Sequence, residues 1–161
     1  MIIRPAEDGD WPAIWPFFVE IVAAGETYAY PDPITEAEGR ALWMEQPPSL
    51  TVVAVDGDEV LGSAKMGPNR PARGAHIATA SFMVNPSGQG RGVGRALGEY
   101  VVDAARAAGY HGMQFNAVVE SNTAAVHLWQ SLGFEILATV PEAFDHRRLG
   151  LVGLHVMYRR L

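Results

Sequence analysis

The amino-acid sequence predicts an α/β domain built around a mixed sheet. Strand-like apolar segments alternate with helix-like ones along the chain, and glycine and proline mark the turns between them. Of the 161 residues, 48% are hydrophobic and 19% are charged. This length favours a single domain over residues 1–161, with enough apolar side chains for a substantial core.

The N-terminal part of the chain predicts one short strand followed by two helices. Ile2 begins the strand, and Asp10 suits the N-cap of the first helix. Apolar residues then recur at helical spacing: Ile14, Phe17, Phe18, Ile21 and Val22. Pro16 should kink or split this helix because it removes a main-chain hydrogen bond. A capping box at residues 35–38 starts a second helix, which ends before Pro47.

The rest of the chain predicts six strands and two helices. The strands are expected at Leu50–Val55, Val60–Lys65, Ile77–Val84, Met113–Val119, Phe134–Val140 and Leu151–Tyr158. Asp56 and Gly57 signal a tight turn between the first two, and residues 141–150 connect the last two. The helices are expected at Val93–Ala108, ended by Gly109, and from an Asn122 cap to Gly133.

A glycine-rich loop precedes the helix that begins at Val93. Glycines at positions 88, 90, 92 and 94 leave main-chain N–H groups uncovered by side chains. Such a loop at a helix N-terminus suits a phosphate group. The helix dipole adds roughly half a positive charge there, and Arg91 and Arg95 each add a full charge.

The spacing of this loop excludes two common phosphate-binding motifs. A P-loop needs a Gly-Lys pair, whereas the only lysine is Lys65. The dinucleotide-binding pattern G-x-G-x-x-G fails from every starting glycine. The loop instead fits the pattern Q-x-x-G-x-G, with Gln89, Gly92 and Gly94 at the fixed positions.

This pattern resembles the pyrophosphate loop of the GNAT family of N-acetyltransferases. A later segment, Asn122–Phe134, is similar to the family's second motif, an Asn-capped helix that ends in Leu-Gly-Phe. The two motifs occur in the family's order and spacing, and the resemblance covers nearly the whole chain. It implies a mixed, mostly antiparallel sheet of about seven strands, split near the cofactor, with about four helices on its two faces.

The resemblance also implies acetyl-coenzyme A (acetyl-CoA) as the co-substrate. Its pyrophosphate would bind the main chain of six loop residues: Gln89, Gly90, Arg91, Gly92, Val93 and Gly94. Phe82, Met83 and Val84 would pair with the pantetheine arm, and an N–H near Val84 would stabilise the oxyanion formed when an amine attacks. Asn122 has two possible roles, as a helix cap and as a contact to the cofactor arm.

Trp129 departs from the family pattern. Many relatives carry a tyrosine here that protonates the leaving thiolate, whereas indole has no usable acid at neutral pH. Either another group supplies the proton or the thiolate leaves unassisted. Trp129 itself would line the thioester pocket, pack as a core aromatic residue, or do both.

Three residues are candidates for acid–base catalysis. Glu120 ends a predicted strand near the expected split, and Glu26 lies in a loop that often covers the acceptor site in relatives. Either carboxylate could accept the proton of the attacking amine or remain on the solvated surface. Tyr28 is the candidate acid, and together with Tyr30 and Glu26 it suggests an acceptor pocket with aromatic walls. Arg147 and Arg148 could bind a carboxylate of the acceptor or be exposed.

These features predict an acetyl-CoA-dependent N-acetyltransferase for a small amine or amino-acid-like acceptor, most similar to phosphinothricin-type enzymes. Two alternatives stay open: acetylation of a protein or peptide N-terminus, and a non-catalytic coenzyme A-binding module. The formal net charge of −6 and the absence of a basic run argue against nucleic-acid binding. The chain has no cysteine, and its five histidines lack metal-ligand spacing, so no metal site is expected.

The expected location is the cytoplasm, without membrane attachment. No apolar run approaches the roughly 20 residues that span a bilayer, and the first residues lack the organisation of a signal peptide. Exposed strand edges are a liability that self-association can cover. A homodimer is therefore expected, with the segment Leu151–Tyr158 as the candidate contact.

Overall fold

The computed structural model describes residues 1–161. One sheet contains seven strands in the order β1-β2-β3-β4-β5-β7-β6. The strands are β1 (Ile2–Pro5), β2 (Leu50–Asp56), β3 (Glu59–Pro68), β4 (Ile77–Val84), β5 (Gly112–Val119), β6 (Glu135–His146) and β7 (Gly150–Arg160). Neighbouring strands are antiparallel except for β4 and β5, which confirms the predicted mixed sheet.

Four α-helices cover the two faces of the sheet, as predicted. They are α1 (Trp11–Ala24), α2 (Glu36–Trp43), α3 (Val93–Ala107) and α4 (Thr123–Ser131). Because successive strand side chains point to opposite faces, β2 contributes Val53 to the core under α1 and α2 and contributes Val52 and Ala54 to the core under α3 and α4. None of these helices is long and apolar enough to cross a membrane.

The N-terminal end of α1 differs from its prediction. Asp10 directly precedes the helix, but its carboxylate makes no capping hydrogen bond to it. The carboxylate instead accepts two hydrogen bonds from the Arg4 guanidinium, at 2.7 and 2.8 Å, and one from the Glu7 N–H at 2.7 Å. A bidentate Arg–carboxylate pair is stronger than a neutral cap, so Asp10 fastens β1 to the start of α1.

Pro16 does not split α1, which is one of the two outcomes that the sequence predicts for it. The helix runs unbroken from Trp11 to Ala24. Proline removes one main-chain hydrogen bond, and the large side chains on either side of it, Ile14 and Phe17, are almost fully buried. Packing against the sheet therefore holds the helix together across the missing bond.

The predicted end of β6 at Val140 is wrong. The strand continues to His146, with register irregularities between Ile136 and Ala138 and between Val140 and Phe144. Residues 141–150 were predicted to form the connection, but β6 is an edge strand, where a residue without an N–H such as Pro141 is tolerated. Glu142, at φ 53°, takes up the local distortion.

Candidate functional site

The site is a cleft between β4 and β5. These strands pair only at Ile77 with Gly112 and at Ala78 with Met113, and beyond these pairs they separate. A cavity of about 910 Å³ opens between them, lined by residues 79–84 of β4 and 115–119 of β5. Its volume lies within the range of small-molecule sites, which confirms the sheet split implied by the resemblance.

The glycine-rich loop lies at one end of this cleft, where Gln89 and Gly94 are among the lining residues. Five main-chain N–H groups of the loop and first helical turn donate no hydrogen bond within the protein: Gly90, Gly92, Val93, Gly94 and Arg95. Unpaired donors at a helix N-terminus form a ready site for an anion. The loop therefore fits the pyrophosphate that the sequence assigned to it.

Glycine is favoured at positions 90 and 92 because the φ angles there are positive, 74° and 76°, a conformation that other residues rarely adopt. A side chain at either position would meet nothing within 4 Å, so the loop has open space beside it. Gly88 differs, because a Cβ there would lie 2.7 Å from the Leu61 carbonyl oxygen. This close approach packs the loop against β3, a role that the phosphate motif did not reveal.

The two loop arginines are already engaged with acidic and polar side chains. Arg91 pairs with Asp56 at 2.5 Å and with Glu59 at 3.5 Å. Arg95 donates a hydrogen bond to the Ser131 hydroxyl at 2.7 Å, and neither arginine lines the cleft. They hold the loop to the β2–β3 turn and to α4, so the positive potential at the loop comes mainly from its free amides.

The open edge of β4 makes an unexpected contact with Tyr28. The Tyr28 hydroxyl donates a hydrogen bond to the Phe82 carbonyl oxygen at 2.6 Å and accepts one from the Phe82 N–H at 2.9 Å. Burial raises the pKa of Tyr28 well above its ordinary value. The one proton of this hydroxyl is therefore committed to Phe82, a different contact from the acid role expected from the sequence.

Aromatic side chains form the floor of the cleft around Trp129. The Trp129 ring centroid lies 4.5 Å from that of Phe82 and 5.0 Å from that of Phe115. Trp129 is only 7% exposed, yet it also lines the cavity. Trp129 is thus both a core residue and a wall of the cleft. The Met83 side chain is buried in the core under α1 and α2.

Asn122 lies on the cleft wall and caps α4. Its side-chain oxygen accepts a hydrogen bond from the Ala125 N–H at 3.3 Å, and the residue is part of the cavity lining. The cap predicted from the sequence is confirmed. Its position on the wall leaves a contact with the cofactor arm sterically available.

The candidate carboxylates lie in different places. Glu120 accepts a hydrogen bond from the Gly153 N–H at 2.7 Å and is not among the lining residues, so it connects β5 to β7. Glu26 lines the cavity and pairs with Arg148 at 2.6 Å. Glu20 of α1 also lines the cavity. Sequence analysis missed Glu20 because it falls on a helix whose apolar stripe dominated the interpretation.

At the far end of the cleft, the segment 25–32 contacts the β6–β7 turn. The Arg147 N–H donates to the Gly25 carbonyl oxygen at 2.9 Å, and the Arg147 guanidinium pairs with Asp32 at 2.8 Å. Tyr28 and Tyr30 stack with ring centroids 5.2 Å apart, and burial raises the pKa of Tyr30 as well. The predicted pocket with aromatic walls is therefore present beside Glu26.

Comparison with known proteins agrees with this geometry. The model of the acetyltransferase (GNAT) family matches residues 15–134. The chain is 34% identical to L-amino acid N-acyltransferase MnaT of Escherichia coli over 147 residues, which cover 88% of this chain and 84% of that protein. It is 31% identical to N-acetyltransferase aca1 of Schizosaccharomyces pombe over 97 residues, which cover 60% of this chain and only 46% of that protein.

Solved structures show the same architecture. A GNAT-family N-acetyltransferase from Kribbella flavida is 61% identical, with a TM-score of 0.96 over 99% of this chain and 97% of that chain. The Salmonella typhimurium protein yncA, solved with its cofactor acetyl-CoA, is 27% identical, with a TM-score of 0.85 over 100% of this chain and 94% of that chain. With a family model spanning most of its length and a split sheet that ends in a pyrophosphate-type loop, this chain belongs to the GNAT family of acetyltransferases.

Proposed function

We propose that the protein transfers an acetyl group from acetyl-CoA to the primary amine of a small, amino-acid-like acceptor. The observation that carries this proposal is the cleft between β4 and β5, which has free amides at one end and an aromatic, acidic pocket at the other. Membership of the acetyltransferase family and similarity to a protein named as an L-amino acid N-acyltransferase support it. A cytoplasmic location, where acetyl-CoA is available, is part of the same proposal.

The cofactor half of the site uses main chain almost entirely. The free amides among residues 90–95 would hold the pyrophosphate. The pantetheine arm would pair with the β4 edge at Val84, because the Tyr28 hydroxyl already occupies both main-chain groups of Phe82. Because β4 has no strand partner on this side beyond Ala78, its edge at Val84 offers an N–H to an oxyanion. One well-placed donor of this kind contributes about 3–4 kcal/mol to catalysis.

Bound acetyl-CoA supplies a thioester, whose carbonyl carbon bonds to the amine nitrogen as its carbon–sulfur bond breaks. The amine must lose one proton before attack and another afterwards. We assign Glu26 as the base that accepts the first proton and releases it to solvent, because Glu26 lines the cavity and Glu120 does not. The thiolate leaves without an enzyme acid, because Trp129 has none and the Tyr28 proton is held by Phe82. It then takes the second proton, released by the newly acylated nitrogen, through water.

A thiol-release assay tests this function. The protein is incubated with acetyl-CoA and a panel of small amines, amino acids, amino-acid amides and peptides. We expect free coenzyme A and N-acetylated product in equal amounts for at least one small amine. Binding of acetyl-CoA without release for any acceptor would overturn the proposal in favour of a non-catalytic binding module, and release with peptides alone would favour N-terminal acetylation.

Gly92→Glu tests the phosphate loop separately. The new carboxylate would lie among the free amides and repel the pyrophosphate, so we expect coenzyme A affinity to fall about 10–100-fold by calorimetry. Gly109→Glu is the matched control, since Gly109 also has positive φ (85°) and open space but follows the other end of α3. Equal losses in the two folded variants, or no loss in Gly92→Glu, would contradict the loop assignment.

A further inference from the structure

Two arginines of the β6–β7 turn hold the cavity wall around Glu26. Arg148 pairs with the Glu26 carboxylate at 2.6 Å, and Glu26 lines the cavity. The Arg147 N–H donates a hydrogen bond to the Gly25 carbonyl oxygen at 2.9 Å, and its guanidinium pairs with Asp32 at 2.8 Å. The position of the Glu26 carboxylate therefore depends on the position of this turn.

The turn and the segment that carries Glu26 are also in close contact. Gly25 ends α1 in the left-handed conformation, with φ 63°. A Cβ at Gly25 would lie 3.1 Å from the Arg147 Cβ, so no side chain separates the two main chains. Because the contact is this close, a shift of the turn would also displace the residue next to Glu26.

A buried histidine closes the turn. His146 is the last residue of β6 and is only 4% exposed. Its Nδ1 accepts hydrogen bonds from the N–H groups of Arg148 and Leu149, each at 3.2 Å. Since an accepting ring nitrogen carries no proton, we assign the imidazole proton to Nε2. The imidazole nitrogen takes the place that an asparagine oxygen occupies in an Asx turn.

The same ring lies against the wall of the cleft. The ring centroids of His146 and Phe144 are 6.4 Å apart, at an interplanar angle of 75°. Phe144 lines the cavity, whereas His146 does not. One buried side chain thus connects the cavity wall with the amides of the turn.

We propose that His146 is a positioning residue for acetyl transfer. It fixes the conformation of the β6–β7 turn, and the turn in turn holds Glu26 at the cavity through Arg148. His146 acts through the turn, because it does not line the cavity itself. The inference rests on the proposed function and assigns the geometry of its base to a residue outside the cleft.

Amide hydrogen exchange measured by NMR tests this coupling without any substrate. His146→Phe keeps an aromatic ring of similar size but removes the acceptor of the two turn amides. We expect exchange to be about tenfold faster at Gly25 as well as at Arg147, and unchanged within α3. Faster exchange at Arg147 with parental exchange at Gly25 would confine the role of His146 to the turn and overturn the inference.

Steady-state kinetics test the consequence for catalysis. For His146→Phe we expect kcat/KM for the acceptor to fall about tenfold or more, because the base is displaced, with unchanged affinity for coenzyme A by calorimetry. His146→Asn restores an acceptor for the turn amides, so it should recover most of kcat/KM. An equal loss of coenzyme A affinity in His146→Phe, or a folded His146→Asn protein as impaired as His146→Phe, would overturn the inference.

His155→Phe is the matched control for both measurements. His155 lies on β7 beside β6, and its Nδ1 is hydrogen-bonded to the Thr139 hydroxyl at 2.7 Å, outside the turn. We expect parental exchange at Gly25 and parental kcat/KM, and effects equal to those of His146→Phe would overturn the specific role of His146. Absence of turnover with every acceptor would overturn the proposed function itself, while exchange at Gly25 would still decide whether His146 holds the segment.

Discussion

At the scale of single residues, the contact between Tyr28 and Phe82 joins the two halves of the site. The Tyr28 side chain, from the segment 25–32, makes hydrogen bonds to both main-chain groups of Phe82 on the open edge of β4. Its hydroxyl has one proton, and that proton is donated to a carbonyl oxygen. The residue is therefore better suited to holding the cleft in shape than to protonating a leaving group.

Tyr28→Phe tests this assignment. Removing the hydroxyl leaves the Phe82 N–H and carbonyl without a protein partner, so we expect the free energy of unfolding to fall by about 1–2 kcal/mol and turnover to fall less than tenfold. Urea denaturation and steady-state kinetics provide the measurements. Tyr30→Phe is the control, because Tyr30 packs in the same stack and its hydroxyl does not bind the Phe82 main chain. If turnover instead fell by roughly 10²–10⁴-fold with unchanged stability, Tyr28 would be the acid.

Trp129→Phe tests whether the indole takes part in proton transfer. Phenylalanine keeps the aromatic contacts with Phe82 and Phe115 but is smaller, so we expect a loss of about 1–3 kcal/mol in stability with turnover within threefold of the parent. Trp129→Tyr places an acid where many relatives have one, and we expect turnover to rise modestly. A large fall in turnover for Trp129→Phe alone would show that the indole N–H acts in the transition state.

At the scale of elements, the site depends on two helix N-termini that face one cleft. The N-terminus of α3 offers free amides, and the N-terminus of α4 is closed by Asn122. Gly98 allows the two helices to pack closely, since a Cβ there would lie 2.7 Å from a Leu132 methyl group. The cofactor site is therefore coupled to the packing of α3 against α4.

Asn122 variants separate its two roles. Asn122→Ala removes the cap and should lower stability by about 1 kcal/mol. Asn122→Asp restores the cap, so we expect parental stability, but it replaces the side-chain amide with a negative charge on the cleft wall. Weaker coenzyme A binding in a fully stable Asn122→Asp protein would support the cofactor contact, and parental binding in both variants would show that Asn122 only caps.

The glycine-rich loop and the Asn122 cap could be predicted from the sequence, and the wall at the other end of the cleft only in part. Glycine spacing and caps are local, because a turn or helix end depends on residues within a few positions of it. The acceptor pocket instead depends on pairs such as Arg147 with Asp32, which are 115 positions apart. The differences at Pro16 and at the end of β6 have the same origin, since buried packing and an edge position decide there and local sequence does not.

At the scale of the whole molecule, the sheet has two open edges, and one of them lies beside several exposed apolar side chains. β6 lies on one edge and β1 on the other. Leu137, Val140 and Leu151 on the β6–β7 pair are each more than half exposed. Exposed large apolar side chains near an open sheet edge favour self-association, so we propose that this edge forms the contact of a homodimer.

Sedimentation at micromolar concentration tests the dimer. We expect the parent protein to be dimeric and Leu151→Glu to be monomeric, because a charge would be buried in the contact. Ile2→Glu is the matched control, since Ile2 is 68% exposed on the opposite edge, and this variant should stay dimeric. A monomeric parent protein would contradict the proposal.

A sheet that splits in its middle has interior edges as well as outer ones. Edges with unpaired main chain recruit foreign strands, and proteins protect the outer ones with charges, prolines or bulges. Here the inner edge of β4 is blunted by one phenolic oxygen, which occupies the place of a neighbouring strand at Phe82 and leaves Val84 open. The cleft therefore stays open to an extended ligand at Val84, while the main chain of Phe82 is no longer available to an added strand.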